Sequence, residues 1–258
     1  MPFDCEMVLE FLEERGNLIS ALNSGLSGLA VHSAMVSNAG GNLANLNTTG
    51  YKSSRVQVGT LGASSRGGGE VGRGAQVLAV SRNFSSGPLL STGGDINLAI
   101  QGDGFFRVSR GGEDVYTRDG SFRLDQDRYL VDAQGNRLQP DLQLPQDAAS
   151  IQVDRNGHLT ALDAQGNIVA SAAIPLFRFA NPEGLQSLGE NDFAPTGVSG
   201  PALEGAPGAV VQGALEGANV DPAREMVDLM LGQRGFAASL KVMQTADQML
   251  GSILDIRA

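Results

Sequence analysis

Asp221-Pro222-Ala223-Arg224-Glu225-Met226-Val227-Asp228-Leu229-Met230-Leu231-Gly232-Gln233-Arg234-Gly235-Phe236-Ala237-Ala238-Ser239-Leu240-Lys241-Val242-Met243 opens a stretch that continues to Ala258 and decides the reading of the fold. Met226, Leu229, Phe236, Leu240, Met243, Leu250 and Leu254 fill a/d positions in steps of three and four, with Gln233 and Asp247 as interruptions. A stripe with a mean spacing of 3.5 residues buries itself against another helix. Asp221 suits an N-cap and Pro222 the first helical position. A helix of roughly 35 residues would reach about 50 Å at 1.5 Å per residue. Near the other end Ile19, Leu22, Leu26, Leu29, Val36 and Leu43 hold a similar stripe, on a helix expected from Asn17 to Leu43. Gly25, Gly28, Gly40 and Gly41 each cost that helix about 1 kcal/mol relative to alanine, so it is expected to order only when its stripe is covered. Both ends read as interaction devices.

Between them the chain is punctuated by glycine, 35 residues in 258. From Ala75 to about Arg178 short runs such as Ile96–Gln101, Phe105–Ser109, Ile151–Asp154 and His158–Leu162 are separated by Gly111-Gly112, Asp119-Gly120, Gly135-Asn136 and Asn156-Gly157. Such pairs favour positive φ and tight turns, which makes this region a succession of strands. Asp125, Leu130 and Asp132-Ala133-Gln134-Gly135-Asn136 are echoed by Asp154, Leu159 and Asp163-Ala164-Gln165-Gly166-Asn167. The echo reads either as two similar hairpins in one sheet system or as a chance likeness of short turns.

A net charge of −10 argues against nucleic acid, whose phosphates require concentrated Lys and Arg. One cysteine, Cys5, excludes an intrachain disulfide, and His32 and His158 cannot make a multi-histidine metal site. No apolar run reaches the roughly 18 residues of a membrane-spanning helix. The opening residues are acidic, with Asp4, Glu6, Glu10, Glu13 and Glu14 against Arg15, and lack the n- and h-regions of a cleaved signal.

Candidate chemical sites dissolve on inspection. Gly67, Gly69 and Gly72 match G-x-G-x-x-G, but a strand-like run follows where a dinucleotide site needs a helix. Asp125, Asp127, Asp132, Asp154 and Asp163 lack the glycine and distal glutamate of a calcium loop and suit turns instead. His158 borders a turn, His32 reads as a packing or interface residue, and no Gly-x-Ser-x-Gly elbow is present. No catalytic, cofactor-binding or metal-ligating residue is expected.

Leu26-Ser27-Gly28-Leu29, Leu43-Ala44-Asn45-Leu46-Asn47-Thr48-Thr49-Gly50-Tyr51-Lys52, Ala99-Ile100-Gln101-Gly102-Asp103-Gly104-Phe105-Phe106 and Tyr116-Thr117-Arg118-Asp119-Gly120-Ser121-Phe122 stand out as motifs. They resemble those of the bacterial flagellar basal-body rod and hook family. Gly213 to Asp221, Glu225-Met226-Val227, Gln233-Arg234 and Gln244 to Leu250 extend the likeness, in order, over about Asn17 to Ile256. Leu138-Gln139-Pro140 resembles the distal-rod branch, while Gly41-Asn42 stands where the family usually has Asn-Asn. The short Gly59–Gly74 loop leaves proximal rod, distal rod and hook-like positions open.

The resemblance implies an α+β fold in which long N- and C-terminal helices form a coiled-coil stem around a central all-β domain of short strands and hairpins. Residues 1–16 would be a leader, 17–58 the first stem segment, 59–74 a linker, 75–207 the β domain, and 208–258 the returning strand and helix. It further implies a non-enzymatic subunit that polymerises helically into a periplasm-crossing, torque-transmitting shaft. Its partners would be copies of itself, neighbouring rod and hook subunits, and the type III export apparatus, with no cofactor and no membrane insertion. The expected assembly residues are the two stripes together with Asn45. A secreted β-rich carbohydrate-active or adhesive protein with helical anchors is the competing reading.

Overall fold

Among the described residues of the computed structural model, two long α-helices, twenty short strands and one 3-10 turn (Pro182–Gly184) make up the regular structure. The structure describes the backbone of residues 5–62, 64–66 and 69–255, and side chains within 18–62 and 72–251. The side chains of Cys5 and Leu254, and Gly67 of the G-x-G-x-x-G match, lie outside the described residues. The chain divides into two units, one of residues 1–43, 54–81 and 221–258, the other of residues 44–53 and 82–220.

The first unit contains α1 (Cys5–Ala44) and α2 (Pro222–Asp255). Helix α1 starts twelve residues before Asn17, which therefore lies inside it rather than capping it; Glu, Leu and Met dominate the added turns and are good helix formers. Helix α2 begins as its sequence dictates. Asp221 Oδ1 accepts hydrogen bonds from the N–H groups of Ala223 (3.0 Å) and Arg224 (3.3 Å), and Pro222 occupies the first position. Two strands, β1 (Ser54–Thr60) and β4 (Ala75–Arg82), pair as a ribbon. Between them β2 (Ser64–Arg66) and β3 (Gly69–Val71) pair antiparallel, inside the stretch read as a linker.

The second unit is antiparallel β throughout its sheets. Its largest sheet runs β16 (Gln186–Gly189), β17 (Asp192–Ala194), β8 (Glu113–Thr117), β7 (Phe106–Arg110), β11 (Arg137–Leu138), β10 (Leu130–Val131) and β9 (Arg123–Leu124). A meander of β12 (Ser150–Val153), β13 (His158–Leu162) and β14 (Ile168–Ala173) forms a second sheet. Three pairs complete the unit: β15 (Phe177–Arg178) with β18 (Leu203–Glu204), β19 (Ala209–Gln212) with β6 (Leu98–Gln101), and β20 (Ala214–Glu216) with β5 (Leu89–Ser91). The echoed Asp motifs thus fall in two different sheets.

Adjacent residues of one strand face opposite ways, and Phe105-Phe106 uses this to feed two cores. Phe106 joins Leu98, Ile100, Val108, Phe122 and Leu159 in the larger cluster. Phe105 joins Tyr116, Phe177, Phe179, Leu185 and Phe193 in a cluster of edge-to-face rings with centroids 4.9–6.2 Å apart. Such pairs add about 0.5–1.5 kcal/mol each beyond their buried area.

The expected architecture, a coiled-coil stem carrying a central all-β domain, is not what forms. Among the described residues there are only two α-helices, and the unit that contains them also includes a β-ribbon; the β-rich body is divided among several sheets. The contact between α1 and α2 alternates glycine and other small residues with large side chains, such as Met243 against Gly25 and Val36 against Gly232. Four of the residues assigned to the seam, Ile19, Leu26, Met226 and Leu240, instead point into solvent.

Candidate assembly site

In the helical unit, the contact between α1 and α2 follows from small residues. A Cβ added at Gly25 would lie 2.9 Å from the Met243 side chain, at Gly28 2.8 Å from Ser239 Oγ, and at Gly232 2.8 Å from the Val36 side chain; at Gly235 it would collide with the ring of His32. Partners ascend on one helix as they descend on the other, so the pair is antiparallel. The less exposed positions of α2 step through Leu229, Gly232, Phe236, Ser239, Met243, Ala246 and Leu250, alternating bulky with small. On α1 the corresponding run is Leu22, Gly25, Leu29, His32, Val36, Ala39 and Leu43. His32 Nδ1 is sealed in the contact without a hydrogen-bond partner.

Asn42 knots this unit together. It is fully buried, its amide donating to Ser54 O (2.8 Å) and Glu225 Oε1 (3.0 Å), while its Oδ1 accepts from Ser54 N (2.9 Å). Asn38 adds a 2.7 Å bond to Ser54 O and accepts from Ser54 Oγ. One side chain of α1 thereby fixes both β1 and the first turn of α2. Burial pushes the Glu225 carboxyl up from its ordinary value, and the Asn42 bond opposes that shift.

The expected assembly residues divide into two sets. Leu22, Leu29, Val36, Leu43, Leu229, Phe236, Met243 and Leu250 are half-buried. Ile19, Leu26, Met226 and Leu240 are exposed, and with Val227, Met230, Leu231, Val242 and Met249 they leave much apolar surface on both helices. Leu254 lies beyond the described side chains. Asn45 belongs to the other unit, where it lines a polar cleft of about 280 Å³ with Thr48, Tyr51, Asp119, Glu190 and Asn191.

The β-rich unit holds a buried charge cluster that sequence spacing does not reveal. Lys52 Nζ donates to Glu216 Oε1 (2.6 Å) and Ser85 O (2.8 Å), and Arg118 Nη1 to Gly102 O (2.9 Å) and Glu216 Oε2 (3.3 Å). Gly87 N–H adds a 2.8 Å bond to Glu216 Oε1. The Arg118 guanidinium also lies 5.1 Å over the Phe105 ring. All three charged side chains are essentially shielded from solvent. Burial holds the Lys52 ammonium and the Arg118 guanidinium below their ordinary values, with Glu216 opposing both shifts. Lys52 and Glu216 are 164 residues apart and Arg118 and Glu216 98 apart, which is why no local pattern exposes the group. The available signal was the motifs themselves, since Tyr51-Lys52, Gln101-Gly102, Tyr116-Thr117-Arg118 and Leu215-Glu216 meet here.

That convergence matches the comparisons with known proteins. Residues 99–161 match the family model for the flagellar hook protein FlgE/F/G D1 domain, and residues 211–256 that for the flagellar basal body rod FlgEFG protein C-terminal. The chain is 34% identical to the flagellar basal-body rod protein FlgG of Borreliella burgdorferi, over 91% of its own length and 97% of the relative's. It belongs to the flagellar basal-body rod protein family. FlgG of Bacillus subtilis is 31% identical over 93% of this chain and all of the relative, and FlgF of Caulobacter vibrioides 32% identical over 83% and 88%. The family is one of structural flagellar proteins rather than enzymes, and membership supports self-assembly beside other flagellar subunits. Within this rod-family chain the motif residues therefore have a structural account: they close one ion cluster around Glu216.

Proposed function

We propose that the chain is a structural subunit of the bacterial flagellar basal-body rod that polymerises helically through the solvent-facing sides of α1 and α2. The observation that carries this reading is the apolar outer face of α2, where Met226, Val227, Met230, Leu231, Val242 and Met249 are all exposed. Contiguous exposed apolar surface marks an interaction site. A heterologous contact that does not close on itself builds a helical filament. The half-buried set from Leu22 to Leu250 holds the helix pair, and the exposed set, with Ile19, Leu26 and Leu240, meets neighbours. The polymer is the shaft that crosses the periplasm and transmits torque, with rod and hook subunits at its ends. Its subunits leave the cell through the type III apparatus without a cleaved signal. No helix among the described residues is long and apolar enough to cross a membrane.

Sedimentation and electron microscopy across a concentration series test this directly. The unaltered chain is expected to polymerise. Met230→Asp and Val227→Asp, at exposed positions, are expected to keep the monomer's circular dichroism and abolish polymer, because burying an unpaired charge costs several kcal/mol. A chain that stays monomeric at every concentration would overturn the proposal, as would polymerisation untouched by both substitutions.

A further inference from the structure

Methionine is an apolar side chain that a mild oxidant converts into a polar one, so its position on a contact surface carries a chemical consequence. Met226 and Met230 lie one helical turn apart on α2, 51% and 49% exposed, beside the equally exposed Val227 and Leu231. The other methionines with described side chains are placed differently. Met35 and Met243 are half-buried, Met243 against Gly25 in the helix seam, and Met249 is exposed near the far end of α2. Helix propensity does not account for the exposed pair, because leucine serves a helix as well as methionine does and adds the same kind of apolar area.

We propose that Met226 and Met230 are a modification site that controls assembly. A peroxide oxidises both sulfurs in the free subunit and prevents the outer face of α2 from being buried, while the finished polymer shields them. Each thioether sulfur attacks one oxygen of the peroxide, the O–O bond breaks, and a sulfoxide and a water molecule are formed; the sulfur gives up two electrons and the peroxide takes them. A dithiol reverses the step, returning the thioether, a disulfide and water. The sulfoxide oxygen is a strong hydrogen-bond acceptor, and a contact lined by Val227 and Leu231 side chains offers it no donor. The inference rests on the reading that this face lies between copies, and it adds the chemistry that governs the contact.

The test uses the full-length chain with Cys5→Ser, which removes the thiol as a second target. Monomer is treated with hydrogen peroxide and quenched, peptide mass spectrometry locates each added oxygen, and sedimentation across a concentration series gives the assembly threshold. Oxygen at Met226 and Met230, unchanged helical circular dichroism and a threshold raised at least about tenfold are expected. A methionine sulfoxide reductase with a dithiol should restore the original threshold. The double variant Met226→Leu/Met230→Leu should assemble like the parent before and after peroxide, and Met226→Gln/Met230→Gln, which places an amide where the sulfoxide would be, should show the raised threshold without any oxidant. Peroxide added to finished polymer should leave both sulfurs unmodified.

An unchanged threshold in chains oxidised at both positions overturns the proposal and leaves helix-driven assembly standing. So does a Gln variant that assembles like the parent, or a Leu variant as sensitive to peroxide as the parent. Loss of helical circular dichroism on oxidation would move the effect to the seam and also overturns it. If neither the Cys5→Ser parent nor the unaltered chain polymerises before treatment, the underlying reading of assembly fails as well.

Discussion

Asp192 shows how one carboxylate can store a pH response in a structural protein. It sits in β17 at 2% exposure, and its counter-charge, Arg110, is 3.4 Å away and shared with Glu190. Burial, then the nearby Asp132, pushes the Asp192 carboxyl up to about 6. A folded value above the unfolded 3.8 means that the native state holds the proton more tightly. The stabilisation is complete below the unfolded value and is lost as pH rises through about 6. Allowing for solvent screening, the loss is ~1–2 kcal/mol. Asp119, raised by its own burial, acts with the same sign. The β-rich unit should therefore melt at a higher temperature at pH 5 than at pH 7.5, and Asp192→Asn should remove much of the difference by stabilising the neutral-pH form. A melting temperature indifferent to pH, or an Asn variant weaker at pH 7.5, would contradict this account.

Among the elements, one turn recurs four times. Asp125, Asp132, Asp154 and Asp163 each use the side chain to accept from the backbone N–H four residues on, and each donates its own N–H to that residue's carbonyl. The residue before the last has positive φ: Arg128 at 64°, Gly135 at 92°, Gly157 at 82° and Gly166 at 84°. Two of these separate backbone strain from crowding. At Gly166 an added Cβ meets nothing, whereas at Gly157 it would strike the carbonyl of Ile174. Gly166→Ala should cost about 1–2 kcal/mol, the backbone penalty alone. Gly157→Ala should cost distinctly more, with chemical denaturation giving both values; equal costs would mean that the crowding is relieved without loss. The echo of Asp-Ala-Gln-Gly-Asn was legible because the turn is built from residues within five positions. Its placement in two sheets was not, since strand partners are chosen by long-range packing. The helices show the same division. Their existence and the N-cap at Asp221 could be read from local pattern, and Leu229, Phe236, Met243 and Leu250 do lie toward the helix contact. The alternate positions of the stripe fell one residue late, on Gln233, Leu240 and Asp247 rather than on Gly232, Ser239 and Ala246, because apolar periodicity counts large side chains and cannot see a seam made by small ones.

For the molecule as a whole, the chain is discontinuous in both units, and this decides where it can be cut. Residues 44–53 belong with 82–220, and Lys52 carries the reason. Remove it and Glu216 keeps Arg118 and Gly87 N–H but loses its 2.6 Å partner, in a site closed to water. Arg118 still neutralises Glu216, so the loss is that of a buried hydrogen bond between charged groups, about 1.5–3 kcal/mol. The same cut removes the bond from Ser53 N to Asn219 Oδ1 (2.7 Å) and that from Gly50 N to Glu216 O (2.7 Å). A fragment of residues 44–220 is therefore expected to unfold cooperatively, and one of residues 82–220 to be weaker by at least that margin, although it retains every sheet strand of the unit. Lys52→Met in the full chain separates the charge from the truncation, and should by itself reproduce a loss of about 1.5–3 kcal/mol. Urea titrations of the two fragments and the variant supply the comparison. If residues 82–220 prove as stable as 44–220, the cluster contributes specificity without stability, and the motif residues that build it need another explanation.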